Sequence, residues 1–343
     1  MATSSVIKAP PPLASPPPPA SSGPAQYLAV KLFIAFFAIY IIWGSTFFAI
    51  RVLVLQVPPL FAAGVRFFVA GAILYTVSRL RGVPRPTLAE LRSLAILGAL
   101  MFLVTYSALF WAEKTVPSGV AGVIEAALPL WTMLLETVIF RREKLNGMTA
   151  AAIAVGFLGV AILTWNPGHF PFLACVVILL GEIGWATGAV LSRSLLLPAS
   201  KTITAGSEMA IGGLMLFAFS AASGELRTVP HFTLSASLAL LYLIVFGSLF
   251  AFTAFVWLLS RMPATVVSSH AYVNPAVALI LGHWFAGEVF SGRMLVAGLL
   301  ILVSVAVILR ARQTAARQVE ADQPGDTREL VRGASIDVPL PGE

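Results

Sequence analysis

Aspartate is missing from the first 321 residues of this 343-residue chain, and only 11% of its residues are charged. A soluble domain usually carries about 25% charged residues, so this shortage excludes an ordinary water-solvated surface. Cysteine is nearly absent as well. A single Cys175, set in an apolar run, excludes an intramolecular disulfide and a cysteine-cluster metal site. Its expected role is a small buried hydrophobe. No phosphate-cradling glycine loop, HExxH or GxSxG motif occurs. The missing aspartate also removes an aspartyl protease of the membrane from consideration. No cofactor or metal is expected.

What the chain does have is apolar length. Hydrophobic residues make up 58% of it, and a helix crossing a bilayer needs roughly 20 of them in succession. Ten runs qualify as expected helices: 32–50, 59–78, 93–112, 118–140, 148–165, 172–192, 203–222, 234–259, 264–286 and 294–310. None shows the short, alternating polarity of a barrel strand. The expected fold class is an all-α integral membrane protein. Residues 1–31, with eight prolines by position 24, read as a disordered tail without the features of a secretory signal, and 311–343 read as a second one.

The chain repeats itself. At an offset of 146, Trp111/Trp257, Pro117/Pro263 and Pro129/Pro275 coincide; at 145, Glu143/Glu288 and Gly147/Gly292 follow. Upstream, at 142, come Trp43/Trp185, Arg51/Arg193, Gly64/Gly206 and Gly71/Gly213. Tryptophan and proline are scarce enough to make this a duplication. The first repeat covers 32–165 and the second 166–310, with five helices each. An odd number sends the second repeat into the membrane from the opposite side. Such inverted repeats build alternating-access transporters, with the binding site near the midplane between halves.

The net charge of +7 is distributed by side. With a cytoplasmic N-terminus, Lys8, Lys31, Arg79, Arg81, Arg85, Arg92, Arg141, Arg142, Lys144, Arg193, Lys201, Arg261, Arg310, Arg312 and Arg317 lie inside. Only Arg51, Lys114, Arg227 and Arg293 lie outside. Fifteen against four is the positive-inside bias. The charge therefore reports topology, with both termini cytoplasmic, and not a nucleic-acid partner.

Several segments carry a family resemblance. WGSTFFAIR at 43–51, PPLFAAGVRFFVAG at 58–71, AEKTVPSGVAGV at 112–123, Pro129, FRREKL at 140–145 and AYVNPAVALILGHWFAGE at 271–288 resemble an EamA-type member of the drug/metabolite transporter superfamily. The similarity runs over about 32–310 and is to the YedA-like inner-membrane group. It implies ten transmembrane helices in two EamA repeats around a central cavity, with the fifth and tenth peripheral. It does not name a substrate.

Charges inside the spans narrow the site. Each costs roughly 2.5–3.5 kcal/mol at a helix centre on an insertion scale, so it needs a partner, water or a task. Arg66 and Glu125 lie about 10 Å from the outer face at 1.5 Å per residue, and Glu208 and His270 share a depth from the inner face. The expectation is two related pairs, Arg66–Glu125 and Glu208–His270, acting as gates, proton sites or packing neutralisers. As aligned here, the family carries uncharged residues at Glu125 and His270. Glu182 sits at the middle of its helix, with Trp43 and Trp185 nearby, and could hold an ammonium group by charge and cation–π attraction. Pro129 and Pro275 are expected to kink helices that line the cavity, with Asn274 supplying a polar partner on the face of His270. Glu136 is expected in an ion pair with Arg141, Arg142 and Lys144. Arg51 and Arg193 read as anchors, His283 as interfacial, and Glu143 and Glu288 as helix caps.

The sequence thus points to a secondary transporter of small organic metabolites such as amino acids or amphipathic compounds, in the lipid bilayer of the cell's inner membrane. Proton coupling and a homo-oligomer packed through its small residues are both open to it. An intramembrane enzyme and a passive channel are the alternatives.

Overall fold

The computed structural model describes residues 23–141, 147–164, 171–227, 230–289 and 291–322. The expected positions of Arg142, Glu143 and Lys144 fall outside them. Among the described residues, eight helices are long and apolar enough to cross a membrane: α1 (Tyr27–Val54), α2 (Pro59–Leu80), α3 (Leu88–Ala112), α4 (Ser118–Ile139), α5 (Gly147–Thr164), α6 (Phe172–Leu191), α7 (Lys201–Ser223) and α8 (Leu234–Leu259). Two apolar helices of the last segment, α9 (His270–Ala286) and α10 (Gly292–Asp322), have shorter apolar stretches, 273–286 and 292–308.

Local chemistry sets the ends. Pro59 opens α2 at a position where its missing N–H costs nothing. Thr87 and Glu90 form a reciprocal cap before α3, with Thr87 N donating to Glu90 Oε2 at 2.7 Å. Gly224 and Gly287 end α7 and α9 with φ of 82° and 64°, a region that favours glycine.

Helix-on-helix packing reproduces the duplication. α2 lies against α7, α4 against α9, and α5 against α10, each helix meeting its own counterpart. The other contacts, α1 with α8 and α3 with α6, exchange under the same relation. Glycines make the α2–α7 seam close. A Cβ on Gly206 would lie 2.7 Å from Tyr75 N, and one on Gly64 would lie 2.9 Å from the Phe217 ring. Tyr75 and Phe217 are themselves 142 residues apart, so the two contacts are copies of one another. Wide π-helical turns recur in the same way, at Gly98–Val104 in α3 and Leu243–Phe250 in α8. Further ones interrupt α1 at Ala38–Ile42 and α4 at Leu135–Ile139.

Loops gather on two faces. The basic face carries Arg81, Arg85, Arg193, Lys201 and Arg261; the opposite face carries residues 55–58, 113–117, 224–227 and 287–289.

Four expectations need correction. Helix starts at Gly23, inside the expected N-terminal tail, because the apolar Tyr27–Val30 stretch extends α1. It continues to Asp322 inside the expected C-terminal tail, where the Ala-, Gln- and Arg-rich sequence is a good helix former. The two prolines are not equivalent: α4 breaks between Glu125 and Leu128 so that Pro129 restarts it, whereas Pro275 lies within α9. The break near α9 falls instead at Ser268–Ser269, between a short turn Ala264–Val267 and His270.

Candidate functional site

Between the repeats, at mid-depth, lies a closed cavity of about 20 Å³, room for little more than one water. Two acids, Glu125 from α4 and Glu182 from α6, face it together with Trp43, Trp185 and Tyr106. None of the residues lining it is basic. Glu182 is only 3% exposed. It is brought here because α6 packs closely on α3: Thr105 Oγ1 donates to Gly181 O at 2.9 Å, and a Cβ on Gly181 would meet Ala108 at 2.7 Å.

The tryptophans are less alike than their positions suggest. Their rings meet edge to face at 5.5 Å. Trp43 Nε1 donates to Gly247 O at 2.9 Å, using a carbonyl of the α8 π turn. Trp185 Nε1 is buried with no partner. An unspent donor in such a place is costly, and an acceptor on a bound solute would satisfy it.

Neither expected charge pair forms. Arg66 Nε donates to Ser248 Oγ at 3.1 Å, and its guanidinium lies over the Phe67 and Tyr106 rings at 4.6 and 5.2 Å. Glu125 faces the cavity beside Glu182 instead, while Glu208 lines a separate cavity and His270 packs against Trp43 and Phe255 at 4.8 and 6.2 Å. Depth along a helix fixes height in the membrane but not direction around the axis. α2 faces α7, α3 and α8, and α4 faces α9, so the partners at equal depth point apart.

Asn274 is a clamp. Its Nδ2 donates to Tyr40 O and Ile39 O at 2.9 and 3.2 Å, and its Oδ1 accepts from His270 Nδ1 at 3.2 Å. The reverse amide orientation would bring Nδ2 within 3.4 Å of Glu125 Oε2 but turn Oδ1 onto three carbonyl oxygens, so the first is the stable one. It therefore satisfies carbonyls left open by the α1 π turn. Pro129 and Pro275 are absent from the walls of this cavity and of the larger one on the basic face; Pro275 backs onto Gly122 of α4 instead.

On the basic face a cavity of about 440 Å³ opens between α6, α7 and α8. Arg193, Lys201 and Arg261 ring its mouth, and Glu208 and Phe255 lie deeper. Arg193 is therefore part of a vestibule wall, beyond the anchoring expected of it. Phe255 also touches Trp43 and Trp185, at 5.0 and 5.2 Å, so one ring separates the two cavities.

On the opposite face, where residues 54–59, Lys114, Glu225, Pro230 and His231 line a cavity of about 380 Å³, two acids cross between the repeats. Glu288 Oε1 accepts from Ser118 N and Oγ, both at 2.8 Å, and Oε2 accepts from Gly119 N at 2.9 Å. Glu225 accepts from Leu60 N at 3.3 Å and Phe61 N at 3.0 Å. Each carboxylate caps a helix start in the other repeat, where the helix dipole favours it. Capping by Glu288 was expected, though not across the repeats. Arg51 donates to the main-chain carbonyl of Glu113. His283 Nδ1 meets Glu288 O at 3.0 Å near this face.

Comparison with known proteins decides what this architecture is. The profile of the EamA-like transporter family matches residues 30–165 and 172–310. The chain belongs to that family. The transporter is 37% identical over 285 residues to the inner membrane transporter YedA of Escherichia coli (strain K12), covering 82% of this chain and 91% of that one. It is 28% identical over 295 residues to a Streptantibioticus cattleyicolor protein named "Probable terminal-alkyne amino-acid exporter", covering 82% and 94%. A solved crystal structure superposes with a TM-score of 0.60 at 22% identity, covering 83% of this chain and 99% of the other, which shows a shared fold. The protein is a membrane transporter of the drug/metabolite transporter superfamily.

Four participants escaped the sequence reading: Tyr106, Ser248, Glu225 and Glu113. Tyr106 and Ser248 sit in apolar runs where one polar atom leaves no mark on the pattern. Glu225 and Glu113 lie at helix ends, where an acid reads as solvated. Only the burial of Glu113 sets it apart.

Proposed function

We propose that this chain is a secondary transporter that exports small organic metabolites bearing a cationic nitrogen, such as amino acids or amphipathic amines, by alternating access. In this reading the chain crosses the inner membrane ten times as two inverted repeats. The basic face and both termini lie in the cytoplasm. Solute enters the vestibule beside Arg193, Lys201 and Arg261, passes Phe255 as it swings aside, and reaches Glu125 and Glu182.

The observation that carries this reading is the cavity itself: two carboxylates and four aromatic rings with no basic residue among its walls. A cation placed there would meet charge and ring faces in a desolvated site, where a cation–π contact alone contributes about 2 kcal/mol. The cavity is too small for such a solute as it stands, as expected of a resting state that must expand on loading. The exporter named among the relatives supports an amino-acid-like cargo. A proton can replace the cation on the carboxylates, which couples transport to the proton gradient; Glu182, Glu208 and His270 are the candidate carriers.

Trimethylphenylammonium, a fixed cation on an apolar ring, tests the site. It should raise the melting temperature of purified transporter, and E182Q should remove at least nine-tenths of the effect. Equal stabilisation of wild type and E182Q would overturn the assignment.

A further inference from the structure

Glu113 stands immediately after α3 on the face opposite the basic one. Its side chain is 0% exposed, and both carboxylate oxygens lack a hydrogen-bond partner. Arg51 pulls on it electrostatically but gives its carboxylate no hydrogen bond, donating instead to the main-chain carbonyl of the same residue. Buried acids are normally paired, so one left bare at a membrane face calls for a task.

Its surroundings say which. The groups facing it are Arg51 from α1, Arg66 from α2, Glu125 from α4 and Glu288 from the loop after α9. Glu125 in turn shares its cavity with Glu182. The acids thus descend from the sealed face to mid-depth, with Glu125 about 10 Å below Ser118 along the axis of α4.

The duplication supplies a control. At the offset that pairs Trp111 with Trp257, Glu113 corresponds to Leu259 and Glu125 to Ala271. The same scaffold therefore carries an acid line toward one face and apolar residues toward the other. Leu259 lines the vestibule that opens on the basic face.

We propose that Glu113 is the proton port of the transporter, binding a proton from the side opposite the basic face and delivering it through Glu125 to Glu182. The Glu113 carboxylate takes a proton from external water as that face closes over it, after the solute has left Glu182 for that side. Burial as the face closes keeps it neutral. The proton then moves to the Glu125 carboxylate, leaving Glu113 anionic, and from Glu125 to Glu182, filling the place the cationic solute has vacated. One positive charge thus replaces another at Glu182. Burial pushes the Glu113 carboxyl well above the usual carboxylate range, against the pull of Arg51, as a port that must load near neutral pH requires.

The exchange step rests on the proposed cation site, so the test separates the two. Wild type, E113Q and E113D are reconstituted in proteoliposomes, and trimethylphenylammonium efflux is followed with and without a gradient acid on the side opposite the basic face. Wild type should be accelerated by the gradient. E113Q should lose at least tenfold of that acceleration while probe-for-probe exchange at equal pH stays within about twofold, and E113D should recover most of it. Undiminished gradient drive in E113Q would overturn the proposal, as would joint loss of drive and exchange. If wild type exchanges no probe, the cation site falls and infrared difference spectra decide the port alone. A protonated-carboxyl band near neutral pH, lost in E113Q, sustains it; no such band, or one unchanged in E113Q, overturns it.

Discussion

The two faces of the transporter derive from one duplicated sequence and do opposite things. On one, Glu225 and Glu288 each cap a helix of the other repeat, and Glu113 is sealed beneath. On the other, a cavity of about 440 Å³ ringed by basic side chains reaches Glu208 and Phe255, whereas its repeat counterpart on the first face, about 380 Å³, is lined by residues 54–59, Lys114, Glu225, Pro230 and His231 and reaches neither central acid. The difference lies in a few side chains and not in the scaffold, since the glycine contacts and π turns recur in both halves. In the proposed cycle each half supplies a gate, and substitution of single residues biases which one rests closed. Inverted repeats need such a bias, because a symmetric pair would populate both states equally.

The comparison breaks most completely where both faces share a support. A Cβ on Gly71 would strike the backbone of Ala210 and Gly206, and backbone in a packed seam cannot yield. Gly71→Val should therefore abolish folding, read as loss of the monodisperse peak in detergent. Gly82, with nothing within 4 Å of its Cβ position but a φ of 79°, is the contrast: Gly82→Ala costs only the strain of that backbone, about 1 kcal/mol.

Removing a latch is the next largest effect. Glu288 accepts three donors, and charge-assisted hydrogen bonds contribute about 1.5–3 kcal/mol each in favourable cases. Glu288→Ala leaves Ser118 N and Gly119 N bare only while the face stays shut, so the closed state should lose about 10- to 100-fold in population. In a Cys175→Ala background, the rate of thiol labelling at Ser118→Cys should rise by that factor. An unchanged rate would show that other contacts seal the face.

How far was this legible from sequence? The repeat and the neighbourhood of Glu182 with Trp43 and Trp185 were, because tryptophan is rare, its spacing survives duplication, and an acid at the middle of an apolar run stands out. Glu125, Glu182, Trp43 and Trp185 do share one cavity, as a site built at the seam requires. The charge pairs were not legible, because spacing gives depth and leaves azimuth to packing: Arg66 turned to Ser248 and Glu208 to the vestibule. The proline symmetry misled for a related reason. One Pro can restart a helix and another sit within it, depending on what satisfies the freed carbonyls.

The smallest predicted effect is also the sharpest comparison of the two faces, since it depends on one proton. Burial raises the Glu113 carboxyl well above the usual range only while its face is closed. In the open state water surrounds it, and it titrates as an ordinary acid. The closed state therefore binds more protons. Its advantage is complete below the ordinary carboxylate range and is lost as pH rises through the elevated value of the closed state. Labelling at Ser118→Cys, corrected for thiolate formation, should accordingly quicken as pH is raised above the ordinary carboxylate range, by several-fold. E113Q should flatten that dependence, because its amide stays neutral at every pH. The mirror substitution gives the control: Leu259→Glu places an acid at the equivalent position of the basic face, where the open vestibule hydrates it. Labelling on the basic face should then show no matching pH dependence, and an equal response on both faces would mean that burial of Glu113 is not what biases the pair.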